Sequence, residues 1–197
     1  MQVALKGTNE ARGGASVHGE RRGMSRLAHI EGDYRYWLTR TWDPAAEPMT
    51  WIMLNPSTAD AETDDPTIRR CIGFAKAWGF GSLRVVNLFA LRSTDPAALR
   101  KHPDPIGPKN DEYIRDATAD VSLSVAAWGN HGAFLTRGYK VAVTIPRLHV
   151  LNMTGAGHPA HPLYLRKGLE PIPWVVTLGR RRPAGGENQW LTRGVCS

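Results

Sequence analysis

Four short apolar runs, each ended by a polar signature, constrain this chain more than any other feature. Trp51-Ile52-Met53-Leu54 runs into Asn55-Pro56-Ser57-Thr58, and Val85-Val86 runs into Asn87. Val125-Ala126-Ala127 runs into Trp128-Gly129, and Leu148-His149-Val150-Leu151 enters a loop holding His158-Pro159-Ala160-His161-Pro162. A strand buried on both faces reads as a continuous apolar run, which is the mark of a parallel sheet covered by helices. Parallel strands would put all four signatures along one edge, where open α/β sheets bind their ligands.

Helix signals lie between the runs. Asp65 is placed to cap a helix whose first residue is Pro66, and Ile68, Cys71, Ile72, Ala75 and Trp78 recur at three- and four-residue spacing before Gly79 stops it. Asp95-Pro96 opens a short helix in the same way, and Asn110 is placed to cap another through Ala119, with Tyr113, Ile114 and Ala117 inward. Strands are expected over Met49–Leu54, Leu83–Phe89, Val121–Ala127 and late in Val141–Val150, with Tyr34–Arg40 as an outer strand. This alternation implies βαβ units. The expected fold is therefore one three-layer α/β/α domain around a central, mostly parallel sheet of four to five strands. Residues 1–28, rich in Gly, Arg, Ser and Ala, read as a flexible basic arm. Residues 29–197 form the single domain, ending in a basic tail with Gly179-Arg180-Arg181-Arg182.

The formal net charge of +7 favours a polyanionic partner, nucleic acid above all. Cys71 and Cys196 form no disulfide or metal pattern, and no run approaches the roughly 18 apolar residues of a membrane span. A cytoplasmic, monomeric protein without membrane association is expected. No phosphate-loop or dinucleotide fingerprint follows a strand, and His158-x2-His161 has no further ligand pair beside it, so neither cofactor nor metal is expected.

Taken in order, the four signatures resemble those of the uracil-DNA glycosylase superfamily: Asn55-Pro56 for its first motif, Asn87 for its base-reading asparagine, Trp128-Gly129 for a small-residue turn, and His161-Pro162 for its catalytic histidine loop. Residues from about 34 to 166 also resemble an uncharacterised domain family of bacteria and their phages, through Leu54-Asn55-Pro56-Ser57-Thr58-Ala59-Asp60 and His161-Pro162-Leu163-Tyr164. That second likeness brings no function with it.

The first resemblance implies a monofunctional DNA glycosylase. A base must be flipped out of the stack before its glycosidic bond can be cut. Asn55 then orients the attacking water, and Asn87 reads the Watson–Crick edge with one donor and one acceptor. His161, kept neutral, donates to the charge that develops on the departing base. Phe89 or Trp128 stacks on the base, and Leu163 or Tyr164 acts as the wedge left in the helix. Arg166 and Lys167 contact DNA. Ser57 stands where strict uracil enzymes carry a bulky aromatic, so a roomier pocket and a modified pyrimidine are expected, with roles in repair or in defence against phage DNA both open. Asp60, Asp64 or Asp65 is the alternative to Asn55 for orienting water. Two other functions stay in view: a non-catalytic nucleic-acid-binding module, and an enzyme acting on free nucleotides.

Each residue also has a plainer role. Asn-Pro after a strand is commonly a turn, a strand-end asparagine bonds loop backbone, and a tryptophan is more often core than platform. Four matches in the right order outweigh these singly plainer readings.

Overall fold

The first central strand, β3 (Pro48–Met53), sets the architecture. Its residues alternate between two buried faces: Met49, Trp51 and Met53 point into one apolar cluster, while Ile52 points into the other. Such a strand needs helices on both sides. In the computed structural model, which describes residues 24–57, 59 and 61–176, it has them. Helix α1 (Pro66–Ala77) supplies Ile68, Cys71, Ile72, Phe74 and Ala75 to the first cluster. Helices α2 (Asn110–Ala119) and α3 (Arg137–Ala142) supply Ile114, Ala117, Val141 and Ala142 to the second. Full burial of a side chain such as Ile68 or Phe74 stabilises the fold by about 1.5–3 kcal/mol. Thr50, the polar residue inside β3, donates its hydroxyl to the carbonyl of Ala117, one of the unpaired carbonyls of the last turn of α2.

Seven strands form one mixed sheet. The others are β1 (Ser25–Glu31), β2 (Tyr34–Thr41), β4 (Ser82–Asn87), β5 (Ser124–Ala126), β6 (Leu148–Val150) and β7 (Ile172–Pro173), in the order β1-β2-β4-β3-β5-β6-β7. The central four, β4-β3-β5-β6, are parallel, and the pairs at both edges are antiparallel.

The sheet is thus wider than the four to five strands expected, and its flanks are antiparallel. Tyr34–Arg40 is not an outer strand: β1 covers it, and Tyr36, Leu38 and Arg40 are buried. Ser25 to Ala28, expected in the arm, belong to β1, with Ala28 in the core. The rest of the expected arm, through residue 23, lies outside the described residues, as do Asp60 and the arginine run at 180–182. Asp65 caps α1 as expected, its Oδ1 accepting from the Ile68 amide at 2.8 Å. Asn110 is not the cap of α2. It is the first helical residue after Lys109, and its side chain turns to the sheet instead. Among the described residues, no helix is long and apolar enough to cross a membrane.

Candidate functional site

The chain leaves β3 for α1 on one face, and later reaches β5 from the other face through α2. The strand order therefore reverses between β3 and β5, and such a switch point opens a crevice at the carboxyl ends of the strands. A cleft of about 440 Å3 lies there, and Asn55, Ser57, Asn87, Trp128, His161 and Tyr164 all line it. The expectation that the strand-end signatures share one edge is met in this cleft.

Asn55 begins the β3–α1 loop. Its Nδ2 donates to the carbonyls of Ser93 (2.8 Å) and Pro56 (3.1 Å), and the Ser93 amide returns a bond to the Pro56 carbonyl at 2.9 Å. With both amide hydrogens spent on the loop, Oδ1 is the atom left to accept a bond. Arginines from β1 and β2 hold the rest of the loop. Arg35 donates to the Ala59 carbonyl, Arg26 to that of Glu62, and Arg40 donates its Nε to Asp64 at 2.7 Å. Arg35 and Arg40 are buried, and Arg35 reaches the cleft.

Asn87 closes β4 and is only 1% exposed. Its side-chain Nδ2 has no hydrogen-bond partner, although a buried amide donor without one costs about 1–3 kcal/mol. The surroundings fix its backbone. Asn110 Nδ2 donates to the carbonyls of Asn87 (2.9 Å) and Leu88 (3.0 Å), and Arg137 Nε donates to Leu88 at 2.9 Å while its Nη2 pairs with Asp111.

His161 sits in the loop after β6, which is tied on several sides. The Gly129 amide donates to the Pro159 carbonyl and the Ala160 amide to the Asn152 carbonyl, both at 2.8 Å. From α1, Arg70 donates to the carbonyls of Pro162 and Leu165. Gly129 has φ +67° and ψ −170°, a region essentially reserved for glycine. The imidazole Nδ1 accepts a long bond from the Leu163 amide at 3.4 Å, which puts the proton of the neutral ring on Nε2. Burial holds the ring's pKa below the usual histidine value, and the Asp65 carboxylate opposes that shift. His161 is thus a neutral N–H donor near neutral pH.

Two expected residues are displaced. Phe89 is fully buried against Phe134 and does not reach the cleft, because the strand-end residues Leu88 and Phe89 turn into the core. Asp64 is occupied by Arg40 and Arg26. Trp128 forms a wall of the cleft, with its indole boxed between Gly132, Gly138 and Trp174. Leu163 (42% exposed) and Tyr164 (84% exposed) stand out from the short helical turn after His161, with exposed Arg166 and Lys167 just beyond. Among the described residues, no three His, Cys, Asp or Glu side chains gather as a metal site.

Sequence reading missed Arg35, Ser93, Asn110 and Arg137. Only Asn110 carried a signal, a polar side chain at a helix start, and it was open to the commoner reading as a cap.

Fold and cleft together define an α/β protein with a cleft lined by polar side chains at the switch point of a parallel strand set. The chain belongs to the family described as a protein of unknown function, DUF1643, whose model matches residues 35–163. No curated protein and no solved structure matches it.

Proposed function

We propose that this protein is a monofunctional DNA glycosylase of uracil-DNA-glycosylase type, which hydrolyses the N-glycosidic bond of a flipped, modified pyrimidine and leaves an abasic site. The observation that carries the reading is Asn87: a side-chain donor buried without a partner, on the same cleft as a neutral histidine. An unsatisfied buried amide is tolerated where a ligand completes it, and a pyrimidine carbonyl supplies the missing acceptor. His161 Nε2–H then donates to the oxygen on which the departing base gathers negative charge. One such donor is worth about 10²–10³ in rate, or about 2.7–4 kcal/mol. Asn55 Oδ1 accepts from the attacking water. Ser57 leaves space beside the base that an aromatic side chain would fill, so a substituent at the pyrimidine 5-position fits. Tyr164 on the cleft and exposed Leu163 beside it fill the stack that the base has left, and Arg166 and Lys167 face phosphates. No cofactor or metal enters the reaction.

The test is base release by the purified full chain from single- and double-stranded DNA carrying uracil, mismatched thymine, hydroxymethylcytosine or glucosylated cytosine, read as alkali-labile breaks. Breaks that vanish in His161→Ala and Asn87→Ala are expected. Salt-sensitive DNA binding with no release from any substrate would leave a binding module, and release from free nucleotides alone would make it a nucleotide enzyme.

A further inference from the structure

Three aspartates lie near the end of the β3–α1 loop, and two of them are described. Asp64 is neutralised in place, its Oδ1 on Arg40 Nε at 2.7 Å and its Oδ2 on Arg26 Nη1 at 3.3 Å. Asp65 differs. It lines the cleft together with Thr67 and Ile68, so the first turn of α1 is part of the wall. Its Oδ1 is pinned by the Ile68 amide at 2.8 Å, while no donor among the described residues reaches its Oδ2. The same cleft holds the buried, unpartnered Nδ2 of Asn87, an independent sign that a polar ligand completes it.

We propose that Asp65 is the carboxylate of the reaction: one oxygen caps α1 and so fixes the group, and the other takes the proton of the attacking water beside the cationic sugar. This assignment rests on the glycosylase reading above. The C1′–N bond breaks, and its electron pair leaves with the base, whose anionic oxygen is held by His161 Nε2–H. The water oxygen adds to C1′ as its proton passes to Asp65 Oδ2. That proton then returns to the base nitrogen, so the products are the abasic deoxyribose and the neutral base, with Asp65 again a carboxylate. A negative charge near C1′ favours the cation in the transition state.

Asp65 and His161 also interact electrostatically, since the carboxylate opposes the effect of burial on the imidazole. The other charged or titratable groups around His161 are Arg35 on β2, His131 after β5 and Tyr164, with Arg70 of α1 on its loop carbonyls.

Asp65→Asn makes the decisive variant, because asparagine caps a helix about as well as aspartate and removes only the charge. Its urea midpoint should match wild type. Base release should fall roughly hundredfold or more, the scale of a lost general base. The His161 pKa, read by NMR titration of the imidazole, should move further down. Asp64→Asn is the control: it weakens loop anchoring but should keep base release in the folded fraction. Wild-type activity in Asp65→Asn overturns the proposal alone, as does an unmoved His161 titration. A wild-type chain silent on every DNA and every free nucleotide overturns the glycosylase reading and the proposal with it.

Discussion

Replacing Asn110 with alanine tests whether the base-facing asparagine owes its position to a side chain on α2. Asn110 is fully buried, and its Nδ2 bonds the carbonyls of Asn87 and Leu88 at 2.9 and 3.0 Å. Truncation affects the two acceptors unequally, because Leu88 keeps the bond from Arg137 Nε at 2.9 Å. The Asn87 carbonyl is left orphaned, at a cost of about 1–3 kcal/mol. Asn110 Oδ1 is itself buried without a partner, so its removal offsets part of that cost. The small void left behind adds to it. The expected net loss is about 2 kcal/mol, or a fall in Tm of roughly 4–8 °C for a chain of this size. Urea unfolding gives the first figure directly, with an unchanged m-value. The near-isosteric Asn110→Asp is harsher, since it removes both donors and buries a charge against two carbonyls. The new carboxylate has its native pKa raised, because burial and facing acceptors disfavour the ionised form. The native state then holds more protons than the unfolded state from about pH 3.9 upward, so stability falls as pH rises through that window and recovers in acid. Two results would refute the reasoning: Asn110→Ala within 0.5 kcal/mol of wild type (about the scatter of neutral surface substitutions), or Asn110→Asp with stability that climbs with pH.

His161 and the Trp128 wall of the same cleft give two further predictions. Burial holds the His161 pKa down, so base release should be flat above about pH 6.5 and fall as pH drops through the lowered native value; stability should decline across the same window, because the unfolded chain takes up the proton first. Activity that rises on acidification there contradicts a neutral donor. Gly132→Ala would put a Cβ 2.1 Å from Trp128 Cδ1, on an indole so closely boxed that a Cβ on Gly138 would likewise fall 2.8 Å from its Nε1. Overpacking of this kind costs about 1–3 kcal/mol, so a thermal midpoint and tryptophan emission identical to wild type would show that the Trp128 wall yields more easily than its packing implies.

The parallel centre of the sheet was legible because burial on both faces writes itself into a local pattern: Trp51 to Leu54 and Val125 to Ala127 have no solvent side to alternate with. The helix capped by Asp65 was legible for the same reason, since cap, proline and apolar spacing are all neighbours in sequence. The antiparallel flanks were not. Arg35 and Arg40 look like exposed polar positions of an edge strand, and they are buried only because β1 covers β2 and a loop more than twenty residues onward supplies carbonyls and Asp64. Phe89 illustrates the opposite error. An aromatic directly after a strand-end signature suggests a platform, yet the strand ends at Asn87, its alternation breaks there, and Leu88 and Phe89 both turn into the same apolar cluster. The order of motifs showed which residues reach the cleft. The partners that set their chemistry are distant in sequence.

Those partners decide what each residue has left to offer. Asn55 spends both hydrogens of its amide on loop carbonyls and keeps an acceptor. His161 spends Nδ1 on the Leu163 amide and keeps a donor at Nε2. Asn87 has only its backbone carbonyl engaged by Asn110, and keeps a side-chain donor that is buried and unmet. Of these residues, Asn87 and His161 keep donors, Asn55 an acceptor and Asp65 a half-engaged carboxylate, in a lining that also holds Arg35, Ser57, Thr67 and Tyr164. Two donors suit a ligand with carbonyl oxygens, one of them gathering charge, while an acceptor beside a carboxylate suits a water that must be held and deprotonated. A phosphate ligand would meet Asn87, His161 and the guanidinium of Arg35 but also the carboxylate of Asp65, and a purely apolar ligand would leave Asn87 orphaned. A leaving pyrimidine with an incoming water is the pair we propose for these groups, the pyrimidine carbonyls for Asn87 and His161 and the water for Asn55 and Asp65.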